Sequence, residues 1–119
     1  MGRLAFALML LVVTSCARPP DGPISIETDP YNSDVCPANR PTIGTLAVDG
    51  SSLGLRLADG KVHGTIWPYH WSARRENGTA LLLDEAGSVA AGEGDEVEVA
   101  GTIGDDAVVT TCGTVRRVS

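Results

Sequence analysis

Residues 95–103 read Asp-Glu-Val-Glu-Val-Ala-Gly-Thr-Ile, the most regular alternation of side chains in the chain. In an extended strand Val97, Val99 and Ile103 project from one side, and the residues between them project from the other. Such a strand has one face in a core and one face in water, as in an antiparallel sheet. This stretch therefore predicts a half-buried β-strand.

The same period of two continues through most of the chain after Pro41. Turn sequences separate the predicted strands at regular intervals: Asp49-Gly50, Asp59-Gly60, Asn77-Gly78 and Glu85-Ala86-Gly87. Two-residue hairpin turns need positive φ at their central positions, which Asp-Gly and Asn-Gly tolerate at low cost. No helical period competes with this pattern, so the sequence predicts an all-β domain over residues 42–119.

Glycine recurs inside the predicted strands, at Gly54, Gly64 and Gly101. A glycine within a strand costs stability unless it allows a bulge or a tight bend. The recurrence predicts strong curvature, which favours a small antiparallel barrel over a flat sheet.

The start of the chain has the pattern of an export signal. Arg3 precedes a short apolar run that ends in Val13-Thr14-Ser15-Cys16, and this run is about half the ~20 residues needed to span a bilayer. The cysteine after two small residues resembles the lipobox of bacterial lipoproteins, which implies cleavage after residue 15 and a diacylglyceryl (palmitate-type) anchor on Cys16. Because Ala17 follows, an outer leaflet or outer membrane is expected. The alternative is an ordinary signal peptide with a chance cysteine.

Residues 16–41 are rich in proline, mixed with Asp, Gly, Ser and Asn. Proline fixes φ and donates no backbone hydrogen bond, so this segment is predicted to be a tether rather than part of the barrel. Only Ile24-Ser25-Ile26 has an apolar alternation that could pair weakly with the domain.

Three cysteines are present. If Cys16 carries lipid, Cys36 and Cys112 remain as an even pair in an oxidising compartment, and we predict that they form a disulfide. Closing this loop would stabilise the fold by roughly 4 kcal/mol. Two free thiols or a metal pair are the alternative, although zinc sites usually have closely spaced cysteines.

The formal net charge of −6 disfavours nucleic acid as a partner, because affinity for phosphate backbones depends on Lys and Arg. The pairs Arg74-Arg75 and Arg116-Arg117 are too short to change this. No nucleophile with a base, no catalytic carboxylate pair and no phosphate-binding glycine loop is recognisable, so the sequence predicts neither enzymatic activity nor a cofactor. Two histidines without metal-ligand spacing predict no metal site.

Several short motifs resemble a group of uncharacterised OB-like small barrels in secreted bacterial proteins and lipoproteins. They are Gly44-x-Leu46, Leu53-x-Leu55-x-Leu57, Trp67-Pro68 and Gly94-Asp95-Glu96-Val97. The resemblance implies an OB-like fold over residues 42–112 and no known activity.

The aromatic segment Trp67-Pro68-Tyr69-His70-Trp71 is the main candidate binding site. Trp67 is predicted to fill the core, whereas Tyr69, His70 and Trp71 are predicted to line an exposed loop. The alternative is that the whole segment is core.

The leading interpretation of the whole chain is a membrane-anchored module that binds a protein or another envelope component. Its rival is a barrel that binds a small ligand in its mouth.

Overall fold

The computed structural model describes residues 20–30, 40–104 and 108–118. Within these ranges the chain forms eleven strands and no helix, so none of the described segments could cross a membrane as a helix. The strands are β1 (Gly22–Ile24), β2 (Glu27–Thr28), β3 (Arg40–Asp49), β4 (Ser52–Arg56), β5 (Val62–His63), β6 (Thr65–Trp67), β7 (Ser72–Glu76), β8 (Thr79–Leu83), β9 (Val89–Gly92), β10 (Glu96–Ile103) and β11 (Val109–Arg117).

The strands form two sheets. Sheet A has four antiparallel strands in the order β1-β7-β8-β9, and sheet B has seven strands in the order β2-β6-β11-β10-β3-β4-β5. In sheet B most pairs are antiparallel, but β6 is parallel to both β11 and β2. The all-β prediction is confirmed, and the prediction of a purely antiparallel arrangement is corrected by these two parallel pairs.

Sheet B curls because residues 62–67 contribute two strands that lie near opposite ends of its strand order. Gly64 divides residues 62–67 into β5, which pairs with β4, and β6, which pairs with β11. The amide of Val109 donates to the carbonyl of Gly64 at 2.9 Å. The six strands β6, β11, β10, β3, β4 and β5 therefore form a small, barrel-like layer. The described ladders do not close it into a continuous ring.

Both sheets contribute to one hydrophobic core. Sheet A contributes small side chains and one leucine, whereas sheet B contributes the larger residues and the only fully buried aromatic side chain among the described residues, Trp67. The core residues are Leu46, Leu53, Leu55, Trp67, Ala73, Ala80, Leu82, Ala91, Val97, Val99, Val109 and Val115. The packing of sheet A on the barrel-like layer is thus the main source of apolar burial.

Strand β10 has the predicted alternation up to Gly101, but Ile103, which was predicted on the core side, is 51 % exposed. Val97 and Val99 are fully buried, while Glu96 is exposed and Glu98 is half-buried. The β10–β11 ladder shifts register between Val99 and Gly101, which produces the irregularity that the interior glycine predicted. Strand β11 continues through this shift from Val109 to Arg117.

The hairpin turns differ in detail from the prediction. Asn77 and Gly78 both have positive φ, at 53° and 81°, as a two-residue turn of the predicted type requires. At the other two hairpins Gly50 and Gly60 have positive φ, but the preceding aspartates do not. The Asp-Gly prediction was therefore right about the position of these turns and wrong about their conformation.

The predicted tether, residues 16–41, is partly folded into the domain. Strand β1 pairs with β7, with Ile24 opposite Ala73, and β2 pairs with β6. Ile24 and Ile26 pack against the core. The tether prediction is corrected for residues 22–28 and for residues 40–41, which belong to β3, while residues 16–19 and 31–39 lie outside the described residues.

Candidate functional site

The predicted aromatic site is a tight turn between the two sheets. Strand β6 of sheet B ends at Trp67, and Pro68 stops it because proline offers no donor for the ladder. The amide of Trp71 then donates to the carbonyl of Pro68 at 3.1 Å, which closes the turn before β7 of sheet A begins.

The base of this turn is held by buried contacts. Trp67 has no exposed surface, and its indole Nε1 donates to the carbonyl of Leu53 at 3.1 Å. The amide of Asp29, just after β2, donates to the carbonyl of Trp67 at 2.9 Å. The turn is therefore anchored on a rigid strand rather than on a loop.

The three candidate residues occupy different environments. Tyr69 is half-buried, His70 is exposed, and Trp71 is half-buried and packs against the core cluster. The Tyr69 and His70 rings meet edge to face, with centroids 4.0 Å apart and planes at 87°. The structure thus brings Tyr69 and His70 together as one surface feature, while Trp71 is divided between surface and core.

His70 has a backbone conformation that L-residues seldom adopt. Its φ is 64°, which for a residue with a Cβ costs about 1 kcal/mol or more. The strain places an imidazole at the tip of the turn where glycine would be the easier choice. The sequence analysis did not predict this conformation, although histidine adopts positive φ more often than most residues with a Cβ.

A second polar cluster lies in the β4–β5 hairpin. His63 Nε2 and Asp59 Oδ2 are 2.8 Å apart, and the same carboxylate accepts a hydrogen bond from the amide of Lys61 at 2.9 Å through Oδ1. The amide of Lys61, followed by the His63 ring, holds the pKa of Asp59 below its ordinary value. This pair fixes the hairpin loop, and nothing in the sequence analysis predicted it.

The acidic residues near β10 bind backbone and arginine groups. Glu93 accepts a hydrogen bond from the amide of Ala80, and Asp95 accepts one from the amide of Gly92 at 2.8 Å. Within the described ranges, no group of three or more His, Cys, Asp or Glu side chains could hold a metal ion. These carboxylates therefore serve the junction between β9 and β10.

The basic pairs are also partnered. Arg116 lies 3.3 Å from Glu98 across the β10–β11 ladder, and Arg74 lies 3.8 Å from Glu76. Arg75 donates to the carbonyl of Gly78 at 3.3 Å. Each pair thus belongs to local ion pairing and turn structure rather than to a continuous basic surface.

The predicted covalent sites are only partly described. Cys16 and Cys36 lie outside the described residues, whereas Cys112 is half-buried in β11, next to the register shift. The lipid anchor and the Cys36–Cys112 disulfide therefore stay predictions.

None of the protein-family models, curated proteins or solved structures with which the chain was compared matches it. The resemblance to small OB-like barrels consequently rests on the short motifs and on the curled sheet B.

Proposed function

We propose that this protein is a lipid-anchored protein of the bacterial cell envelope whose β domain binds another envelope component through the Tyr69–His70 turn. The observation that carries the binding proposal is the positive φ of His70 together with the edge-to-face contact of its ring with Tyr69. Backbone strain of this kind concentrates at functional sites, where it fixes a side chain in place. The lipid anchor rests on the Met1 to Cys16 sequence.

The turn has properties that suit a binding surface. Aromatic side chains with polar tips are enriched in the energetically important centres of interfaces. Because the turn is closed by the Trp71–Pro68 hydrogen bond and held by Trp67, little conformational entropy is lost when a partner binds. A protein or another large envelope component suits such a protruding feature.

The rival function, a small ligand in the mouth of the barrel, has weaker support. Trp67, Leu53 and Leu55 fill the interior beneath the aromatic turn, and each has at most 1 % of its surface exposed. A ligand at this place would have to displace core side chains or bind on the outside. A partner that binds at the outer surface of the turn does not have to displace any core side chain.

Membrane attachment provides the first test. Replacing Cys16 with serine removes the thiol that would carry the diacylglyceryl group, and stable attachment needs more than one acyl chain. We expect Cys16→Ser to leave an unprocessed precursor or to release the protein into the soluble fraction. Fractionation of cells, followed by immunoblotting, measures this.

The control is Cys36→Ser, which replaces a cysteine that is predicted to form a disulfide rather than to carry lipid. It should leave processing and membrane attachment intact. Unchanged fractionation of the Cys16→Ser protein would contradict the anchoring proposal.

Photo-crosslinking in intact cells tests the binding turn. We expect benzoyl-phenylalanine at position 69 to give discrete crosslinked products, because the half-buried Tyr69 ring borders the proposed contact. The same group at position 43 should give none, since Ile43, although 52 % exposed, lies in β3 and not in the aromatic turn.

Introducing His70→Gly into the protein that carries benzoyl-phenylalanine at position 69 separates an effect on binding from an effect on folding. Glycine adopts positive φ without strain, so the turn should keep its backbone and the domain its melting temperature within a few degrees. Loss of the position-69 products in this folded variant would support a contact through the imidazole. Equal crosslinking from positions 43 and 69 would contradict the proposed binding turn.

A further inference from the structure

The outer face of sheet A is apolar across its centre. Three cross-strand rows form this face, in which directly opposed residues lie side by side. The first row is Pro23, Arg74, Leu81 and Gly92, the second is Ser72, Leu83 and Val89, and the third, at the other end of β7 and β8, is Glu76 and Thr79. Both leucines are half-buried and Val89 is 58 % exposed, while the alternate residues of the same strands point into the core.

The outer face of sheet B carries more charged side chains than the outer face of sheet A. On β10, Glu96 and Glu98 project outward between the buried valines, and Glu98 is paired with Arg116. Ile43 lies opposite Glu98 on this face, so its exposed side chain is surrounded by charge. On the outer face of sheet A, Arg74 lies 3.8 Å from Glu76, and the row of Ser72, Leu83 and Val89 carries no charge. The two outer faces therefore suit different environments.

The position of sheet A in the chain points to the membrane. Its edge strand β1 begins at Gly22, only six residues after Cys16. Six residues span at most about 20 Å even when fully extended. Asp21 is further tied to the sheet, because its Oδ1 accepts a hydrogen bond from the amide of Gly78 at 3.4 Å. An acyl chain on Cys16 would thus hold sheet A, rather than a distant domain, next to the bilayer.

We propose that the outer face of sheet A, centred on Leu81, Leu83 and Val89, lies against the surface of the membrane that holds the acylated Cys16. This inference rests on the lipid anchor of the proposed function. Three apolar side chains alone would bind a bilayer weakly. A short tether makes the contact intramolecular, at an effective concentration of about millimolar or above, which allows a weak contact to be occupied.

The cation on this face fits the same arrangement. The Arg74 guanidinium lies 3.8 Å from Glu76 through Nε and is half-exposed, so its other N–H groups can donate to lipid phosphate oxygens, which suit its planar geometry. The aromatic turn precedes β7 at Ser72, whereas the tether joins near Glu76, so the five residues of β7 separate them by roughly 15 Å. The Tyr69–His70 turn consequently stays at the side of the docked domain, where it can meet a partner.

Quenching by brominated lipids tests which face meets the bilayer. The probe is a tryptophan, introduced as Val89→Trp on sheet A or as Ile43→Trp on sheet B, two sites of similar exposure. The processed full-length lipoprotein is reconstituted into phosphatidylcholine vesicles with and without brominated acyl chains. Because Trp67 and Trp71 are common to both variants, subtraction of the wild-type signal isolates the new side chain.

We expect the tryptophan at position 89 to be quenched at least about twofold more than that at position 43, because an apolar surface docked on lipid enters the headgroup and acyl boundary by ~5–10 Å. Equal quenching, or stronger quenching at position 43, would overturn the membrane-facing assignment. Equal circular dichroism spectra of the two variants establish that both are folded.

A separate measurement distinguishes failure of this inference from failure of the anchor. Mass spectrometry of the processed N-terminal peptide shows directly whether Cys16 is acylated. If it is not, the mature chain with an N-terminal hexahistidine tag on nickel-chelating vesicles places sheet A at a similar distance, and the same comparison of positions 89 and 43 decides the orientation.

Discussion

Replacing Trp67 with alanine is expected to lower the free energy of unfolding by about 3–5 kcal/mol. The side chain has no exposed surface and packs between the two sheets. Its removal leaves a cavity and also leaves the carbonyl of Leu53 without its 3.1 Å hydrogen bond. An unsatisfied buried carbonyl adds about 1–3 kcal/mol. Since small domains have about 5–15 kcal/mol of stability in total, much of the variant could be unfolded at 37 °C.

Denaturant unfolding of the unlipidated domain measures this change, with Trp71→Ala as the matched control. Trp71 was predicted to line an exposed loop, but it packs partly against the core, so Trp71→Ala should cause a modest loss of stability. Trp67→Phe keeps most of the volume while removing the N–H group, and should have an intermediate cost. A smaller loss for Trp67→Ala than for Trp71→Ala would contradict the assignment of Trp67 as the central core residue.

The parts of the fold that could be predicted from the sequence depend on local periodicity. Val97 and Val99 are buried and Glu96 is exposed, because alternation along one strand already decides which side chains share a face. The interior glycines Gly64 and Gly101 also marked a bend and a register shift correctly. These features require no knowledge of distant residues.

The parts that could not be predicted depend on pairing between distant segments. The parallel β6–β11 pair joins Thr65 to Val109, and nothing local specifies that contact. The proline-rich composition predicted a tether, yet Pro23 is accommodated in β1, which lies at an edge of sheet A. An edge strand tolerates proline because the missing N–H can face away from the ladder. Tertiary pairing thus outweighed composition for residues 22–28.

The candidate site shows the same division. The sequence identified the segment and placed Trp67 in the core, because Pro68 had to end the strand there. It could not show that Trp71 turns partly inward, or that the edge-to-face contact joins Tyr69 to His70. Those arrangements depend on the positive φ of His70, which reflects the connection between the two sheets rather than an intrinsic preference of histidine.

Replacing Gly54 with alanine is the second change for which we expect a large loss of stability. A Cβ at this position would overlap the carbonyl oxygen of His63 on the neighbouring strand β5. That oxygen belongs to the backbone, so no change of rotamer relieves the clash, and β5 would have to move away from β4. Overpacking of this kind costs about 1–3 kcal/mol, and loss of the two-residue β4–β5 pairing would add to it.

Gly64→Ala is a matched control ten residues along the chain. The nearest atom to a Cβ at Gly64 is Val108 Cγ2 at 3.9 Å, an ordinary contact, so this substitution should be neutral or should stabilise the domain by up to about 1 kcal/mol. Thermal unfolding of both variants provides the comparison. Because the Asp59–His63 pair lies in the same hairpin, Gly54→Ala should also disturb the imidazole resonances of His63, whereas Gly64→Ala should leave that pair in place. Equal melting temperatures for the two variants would show that β5 is not held against Gly54, and that sheet B does not curl in the way that its β5–Gly64–β6 connection requires.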